Sequence, residues 1–509
     1  MKKIYFLILF LSFSVYSQNF EWVKFPTATL ASNTNSLGYA TTCDASGNIY
    51  IVGFKDNYFL SSNVYGNLFF QKYDAAGQLL FDKTIVGKAR SFNIISDYNN
   101  AIYLSVSFKE TISIDTIQIS STSSETGALL KFDSSGNFIF NQLISNLGTT
   151  DTDFSAMAVD TSNNIYLGFD DFINSKIVKL SPTGTLLQTI NQQRVQVISS
   201  ISIDNLGNIY AAGSCGDANS TFAGVSQPTS LSYSIYAVKY SASGVHQWTK
   251  YLNDNSCRDP QISAKTADNI YLSSSLTGAY TFGSFTTQGP SSGSSDDVFI
   301  TKMDALGNFN WVKEVPDTGK AYIGSRNFLN SDSNGNVYFV GSTKGTTNWT
   351  PNATTSVSGN STDALILKYN NNGDLLFAKT AGGTFTDACN SVTLDNLGNI
   401  YLGGIANGNV TFDLLTYTVS GSLPFVAKIE SNLSTYQNLV TTNFVYPNPA
   451  NDKIYFEKPL QNSKIEIISV LGKVLKSTIT SESLDINDLS AGIYYLKTEN
   501  NLVFKLIKK

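Results

Sequence analysis

The chain has 509 residues, of which 42% are hydrophobic and 12% aromatic but only 14% charged. That is ample material for buried cores, too much for one ordinary domain, and it excludes global disorder. Its 34 Lys and Arg against 39 Asp and Glu give a net charge of −5, and no run of basic residues offers a track for nucleic acid, so no nucleic-acid partner is expected.

In chain order, Lys2 and Lys3 precede the apolar run from Ile4 to Val15, and Val15-Tyr16-Ser17 offers residues that a signal peptidase accepts. Residues 1–17 therefore read as a signal peptide, with Gln18 as the new N-terminus. The run falls short of the ~20 residues that span a bilayer and no other stretch approaches that length, so no transmembrane segment is expected in the mature chain. Loss of the two leader lysines takes the net charge to −7.

Between 18 and 440 two series interleave. An x-Ile/Val-Tyr strand recurs at Tyr50, Tyr103, Tyr166, Tyr210, Tyr271, Tyr338 and Tyr401, and a Lys followed by an apolar or aromatic residue and a turn recurs at Lys72, Lys131, Lys179, Lys239, Lys302, Lys368 and Lys428. Before the tyrosines stand Asp44 to Gly47, Asp204 to Gly207, Asp332 to Gly335 and Asp395 to Gly398, which suit type I turns with Gly at φ > 0. In the other copies the Gly position holds Asn100, Asn163 or Asp268, residue types that tolerate a left-handed backbone. A second set of turns follows the lysines, and the strand after it carries an aromatic, as in Phe81, Phe140, Trp248, Trp311 and Phe377. Two hairpins per unit, seven units and no helical periodicity predict an all-β chain: a seven-bladed β-propeller of four-stranded antiparallel blades over residues 18–440. A β-solenoid is the runner-up. The mature N-terminus, Phe20-Glu21-Trp22-Val23-Lys24, matches the fourth-strand pattern Trp311-Val312-Lys313 and so is expected to complete the last blade; residues 434–440 are the alternative. The repeated tyrosines are expected to pack between sheets. The units, with D-x-x-G-N-I-Y, then K-Y-D-x-x-G and W-x-K, resemble the bacterial propeller repeats called SBBP repeats. That resemblance implies a propeller placed outside the cell and brings no ligand or catalytic residue with it.

After residue 440 the composition changes. Tyr446-Pro447-Asn448-Pro449, the alternating Lys453-Ile454-Tyr455-Phe456, Leu471-Gly472-Lys473 and Leu489-Ser490-Ala491-Gly492-Ile493-Tyr494 predict a small β-sandwich over residues 441–509. It resembles the type A C-terminal sorting domain of the type IX secretion system of Gram-negative bacteria, with Tyr446, Pro447, Asn448, Pro449, Gly472 and Gly492 in the matching motifs. The resemblance implies the type IX machinery as partner and a protein that is secreted or held on the outer cell surface. An immunoglobulin-like stabilising domain is the alternative.

No catalytic constellation stands out. His246 is the only histidine, and its place on a repeat strand marks it as a solvated strand residue rather than a triad or zinc member. Cys43, Cys215, Cys257 and Cys389 have no metal-ligand spacing; a Cys215–Cys257 disulfide and isolated thiols are equally open. The Asp-rich turns, Asp332-Ser333-Asn334-Gly335 nearest of all, are calcium-like but are read as turn formers, so no cofactor is expected. Tyr-to-Lys separations run from 13 to 31 residues while Lys-to-Tyr separations stay between 31 and 36, so length variation sits in one connection per blade. The longest, 272–301 and 339–367, carry Tyr280, Phe282, Phe285 and Trp349 among Ser, Thr, Gly and Asn, a mixture suited to stacking on sugars. The expected function is non-catalytic binding of a polysaccharide, matrix component or surface protein; the alternative is a secreted polysaccharide- or peptide-cleaving enzyme with an acid-based site in the funnel.

Overall fold

The computed structural model describes residues 18–29, 39–60, 63–121, 123–148, 154–227, 234–252, 259–290, 297–430, 445–456, 464–469, 473–479, 483–498 and 503–509. The leader, Cys257, Gly472 and residues 434–440 lie outside them. Strands dominate; among the described residues the one helical element is a 3-10 turn, Ile144–Leu147. The chain divides into two compact units, 19–430 and one that contains the C-terminal tail.

Within 19–430 the repeat is a four-stranded antiparallel sheet. The fourth copy shows it plainly: Val197–Ile203, Ile209–Cys215, Ser234–Tyr240 and His246–Leu252 lie side by side in chain order. In all seven copies the repeated Tyr on the second strand faces the repeated Lys on the third: Tyr50↔Lys72, Tyr103↔Lys131, Tyr166↔Lys179, Tyr210↔Lys239, Tyr271↔Lys302, Tyr338↔Lys368 and Tyr401↔Lys428. This register explains the sequence pattern. Each tyrosine ring is fully buried, and in five copies the Lys ammonium lies 4.9–5.3 Å from its centroid, in cation–π contact. In six copies the hydroxyl donates to an Asp six residues earlier at 2.9–3.3 Å. The same Asp accepts the N–H groups two and four residues on, at 2.8–3.0 Å, which locks the turn.

The lysines also tie copy to copy. Lys72 donates to the Ser134 carbonyl, Lys131 to Pro182 and Lys239 to Ala305, each in the second turn of the following copy. Lys428, in the last copy, donates to Ala75 in the first. Tryptophans repeat the device: Trp248 Nε1 donates to Ala305, Trp311 to Asn371 and Trp22 to Ala75, at 3.0–3.1 Å. The strand Phe20–Lys24 pairs antiparallel with Leu415–Ile429, so the N-terminal strand completes the last sheet.

First strands meet around an axis. Ala40–Cys43, Leu79–Ser96, Met157–Val159, Val197–Ile203, Gln261–Thr266, Leu329–Ser331 and Ala388–Leu394 contact one another in that order, and the last returns to the first. Sheets set radially around a closed ring of first strands are a β-propeller. Both tight turns of each copy fall on one face, here called the turn face. The variable second-to-third connections fall on the other, the hairpin face.

Asn100 and Asn163 take φ of 64° and 63°, as the turn chemistry predicts, and each accepts an N–H from the preceding copy, Ala45 and Tyr98 respectively. Asp268 does not follow them into the left-handed region. Here the hairpin closes over Ala267 and Asp268 after a bulge at Lys265, which corrects the sequence expectation.

The C-terminal unit has a three-stranded sheet, Val445–Tyr446, Lys453–Phe456 and Ser483–Asp485, and a four-stranded sheet, Val474–Ile479, Lys464–Ser469, Gly492–Thr498 and Val503–Lys508. They share one core of Ala450, Ile454, Ile465, Ile467, Leu484, Ile486, Leu496 and Leu506.

Candidate ligand-binding channel

No backbone ladder pairs one first strand with the next, and in that gap the first strands carry small hydroxyl residues. Their side chains span that gap. Thr41 bonds Ser391 at 3.0 Å, Ser199 donates to the Pro260 carbonyl at 2.7 Å, Ser202 accepts the Ala264 N–H at 2.9 Å, and Ser263 bonds Ser331 at 2.8 Å. A hydroxyl that donates along this seam still has lone pairs with which to accept.

Inside the ring lies a cavity of about 240 Å³ lined from every first strand. Its side chains include Thr41, Thr42, Cys43, Asn93, Ser96, Ser155, Ser200, Ser202, Ser263, Asn327, Asn330 and Thr393, with aliphatic groups, one phenol, Tyr98, and one ammonium, Lys265. At the hairpin-face end the axis is bridged. Residues 324–328 leave their strand opposite Val340, between the pairs Ile323↔Gly341 and Leu329↔Phe339. Asn327 Nδ2 then donates to Asn93 Oδ1 at 2.7 Å and Arg326 donates to the Ser91 carbonyl at 3.2 Å. The receiving strand is itself bulged between Ser91 and Asn93. Asn93, within that strand, is 2% exposed, and Tyr98, in the turn that follows it, is 58% exposed, so the cavity opens toward the turn face.

Lys265 is the exception to the repeat. Six residues before Tyr271, it stands where the other six copies have the turn-locking Asp. Deprived of that carboxylate, Tyr271 donates instead to the Gly335 carbonyl. Lys265, at the bulge, lines the channel; the residue keeps accessible surface there, yet protein walls its charged group, so desolvation lowers its pKa. It is electrostatically coupled to Cys43 on the first sheet, whose thiol burial pushes up to about 12. Tyr98 is the other irregularity, an exposed aromatic where the corresponding turns carry Ala45, Thr161, Asn205, Ser333 and Asn396.

The aromatic residues singled out from the sequence lie on the hairpin face. Thr281–Phe282 and Phe285–Thr286 form one small hairpin, and Thr346–Thr350 with Ala353–Ser356 forms its counterpart in the next copy. Phe282 is 1% exposed between Phe299 and Phe309. Trp349 is buried, with Nε1 donating to Thr355 Oγ1 at 2.9 Å. Tyr280 and Phe285 are half-buried against the same core as Phe282, and Tyr280 Oη bonds Thr277 Oγ1. His246 is half-buried on an outer strand, Nε2 against Thr249 Oγ1, and desolvation lowers its pKa. Cys215 is a buried free thiol. Asp332 spends its oxygens on the Asn334 and Asn336 N–H groups, the Asn336 amide and Tyr338.

In the C-terminal unit the Y-P-N-P segment docks through Asn448. Its Nδ2 donates to the Lys505 carbonyl and its Oδ1 accepts the Ile507 N–H, so the side chain acts as one more rung beside the last strand. Tyr446 stacks on Tyr455 at 6.0 Å, and Gly492 pairs with Lys508.

Residues 444–509 match the family described as "Secretion system C-terminal sorting domain". Such a tail implies delivery through the type IX secretion system, outside the cell or onto its surface. No curated protein matches the chain. Among solved structures it is similar to a streptogramin B lyase, at 12% identity and TM-score 0.42 over 81% of this chain and 98% of that one. It is also similar to the β-propeller domain of the Trilobed protease from Pyrococcus furiosus, at 8% identity and TM-score 0.40 over 75% and 96%.

Proposed function

We propose that the mature protein is an exported seven-bladed propeller of the SBBP-repeat type that binds a polysaccharide, matrix component or surface protein without transforming it. A small C-terminal β-sandwich serves as its type IX address in a Gram-negative envelope, after signal-peptide export. The observation that carries the binding reading is the channel: a cavity built from all first strands, bridged at one end, whose polar lining consists of hydroxyls, amides, a thiol, a phenol and one ammonium. Those are groups that hold a ligand. An acid-based hydrolase needs two carboxyl groups flanking the scissile bond. The carboxylates that burial shifts most, Asp170, Asp297, Asp363 and Asp387, lie at the hairpin-face ends of their strands, outside the channel lining. Tyr280 and Phe285 remain proposed contacts on that face.

The test is the mature protein on a glycan array and on a panel of surface proteins, beside a turnover screen on polysaccharides and peptides. Saturable capture without product supports the reading. Product release at a rate that scales with protein concentration overturns it.

A further inference from the structure

The geometry points to the channel mouth as a site for a carboxylate-bearing sugar, the uronate residue of an acidic glycan. This inference rests on the binding reading above and names the ligand class.

Its first support is the repeat-breaking lysine. An Asp at this position accepts two turn N–H groups and a tyrosine hydroxyl in six copies, and Lys265 supplies none of these. A local rule broken once, at the one copy where the change puts a cation on the axis, is what a functional position looks like in a repeat. Among the described residues no hydrogen bond or ion pair engages the Lys265 ammonium, and its one electrostatic partner is the Cys43 thiol. That thiol is neutral at physiological pH, because burial raises it to about 12. Lys265 is the one basic group of the lining, which holds no carboxylate, and an anion seated beside it favours its protonated form.

The remaining groups specify what bears the anion. Tyr98 offers an exposed aromatic ring at the same mouth, the surface on which sugar rings stack. Thr42, Ser96, Ser202 and Asn330 line the wall behind it; their donors serve neighbouring strands, and their oxygens have the second lone pair that accepts from a sugar hydroxyl. The volume of about 240 Å³ lies just under the range of about 300–1,000 Å³ for drug-sized ligands, which suits one ring rather than several. Since the hairpin-face end is bridged by Asn93, Asn327 and Arg326, the glycan enters from the turn face by a chain end.

The experiment is calorimetric titration of the mature protein with galacturonate and glucuronate, beside galactose, glucose and inorganic phosphate as separate probes. The variants are Lys265→Gln, Lys265→Met and Tyr98→Ala, each checked by thermal melting. Saturable uronate binding is expected, at least tenfold weaker for the neutral sugars and for both lysine variants, and weaker for Tyr98→Ala. In the unaltered protein, uronate should protect Lys265 from acetylation, read by peptide mass spectrometry. The inference fails if no uronate binds, if Lys265→Gln binds as well as the parent, if phosphate matches uronate, or if acetylation of Lys265 ignores uronate. Capture of a neutral glycan or of a protein, with no uronate binding, sinks this inference alone; turnover sinks the binding reading beneath it.

Discussion

Replacing Trp22 by alanine tests whether the N-terminal strand closes the ring as a working part of the core. Trp22 is 7% exposed, sits 6.2 Å from the Tyr401 ring and 6.4 Å from Tyr73, and donates to the Ala75 carbonyl at 3.1 Å. A Cβ at Gly77 would stand 2.8 Å from its Cδ2, so the indole fills the space up to the neighbouring turn. Removing such a ring from a packed site costs about 3–5 kcal/mol. The lost hydrogen bond adds only about 1 kcal/mol, because Lys428 still donates to the Ala75 carbonyl. Trp311 provides the internal standard: it is 8% exposed, donates to Asn371 at 3.1 Å and lies 6.0 Å from Tyr271, within a sheet continuous in sequence. Urea unfolding followed by far-ultraviolet circular dichroism should show the two alanine variants destabilised within about 1 kcal/mol of each other, with unchanged m. A loss below about 1 kcal/mol for Trp22→Ala beside a full loss for Trp311→Ala would refute closure by this strand.

Three further outcomes are expected. Deleting residues 443–509 should leave the propeller melting as before, since 19–430 is its own compact unit, but abolish its appearance in culture medium or on the cell surface, read by immunoblot of fractions. Asp297, 2% exposed, is raised to about 7 by burial, with Glu314 adding to the shift. Because the folded carboxyl holds its proton more tightly than the unfolded one, its contribution is complete at low pH and is lost as pH rises through about 7. Asp297→Asn keeps an oxygen to accept the Val298 and Val315 N–H groups that Oδ1 accepts. It should match the parent only near pH 4, where the unfolded carboxyl is also largely protonated, and melt increasingly higher as pH rises to 8, by at most about 4 kcal/mol of stability at ~1.4 kcal/mol per pKa unit. Restoring the repeat in Lys265→Asp with Asp268→Gly should raise the urea midpoint by about 1 kcal/mol or more of stability, through the regained turn and Tyr271 bonds. A lower midpoint would mean that the bulge at Lys265 is intrinsic to that hairpin.

The propeller is legible in the sequence because each copy repeats residues whose roles are local: the Asp that locks a turn, the Tyr six residues later, and the Lys opposite it. Ring closure is legible for the same reason, since Phe20 to Lys24 carries the fourth-strand pattern. The channel is less so. Reading the irregular turn at its glycine position, Asp268, draws attention away from its first position, where Lys265 replaces the repeat Asp; aligning the seven copies on the tyrosines exposes the exchange. The axial bridge leaves no such trace. Arg326 and Asn327 meet Ser91 and Asn93 across 234 to 235 positions of chain, and nothing in either segment alone names the other. The aromatic signal at Phe282 and Trp349 is real but ambiguous, because burial beneath a hairpin and exposure to a sugar select the same residue types.

A repeat of this kind constrains where specificity can arise. Six of the seven copies supply an Asp, a Tyr and a Lys together, so equivalent positions are largely committed to structure and the charges of Asp and Lys cancel within the copy. A ring of identical copies would present the same lining from every side and no preferred orientation for a small ligand. Orientation therefore requires departures from the repeat, and a departure is tolerated only where its structural role passes to another group. Tyr271 meets that condition by turning to the Gly335 carbonyl, which releases the position of Lys265 from its turn-locking duty. The excursion at 324–328 meets it as well, since Val340 N–H still finds the Phe328 carbonyl and Gly324 N–H the Val340 carbonyl. Both departures direct polar groups to the axis, one at each end of the same cavity, and together they turn a symmetric pore into a pocket with a floor, a mouth and a single charge.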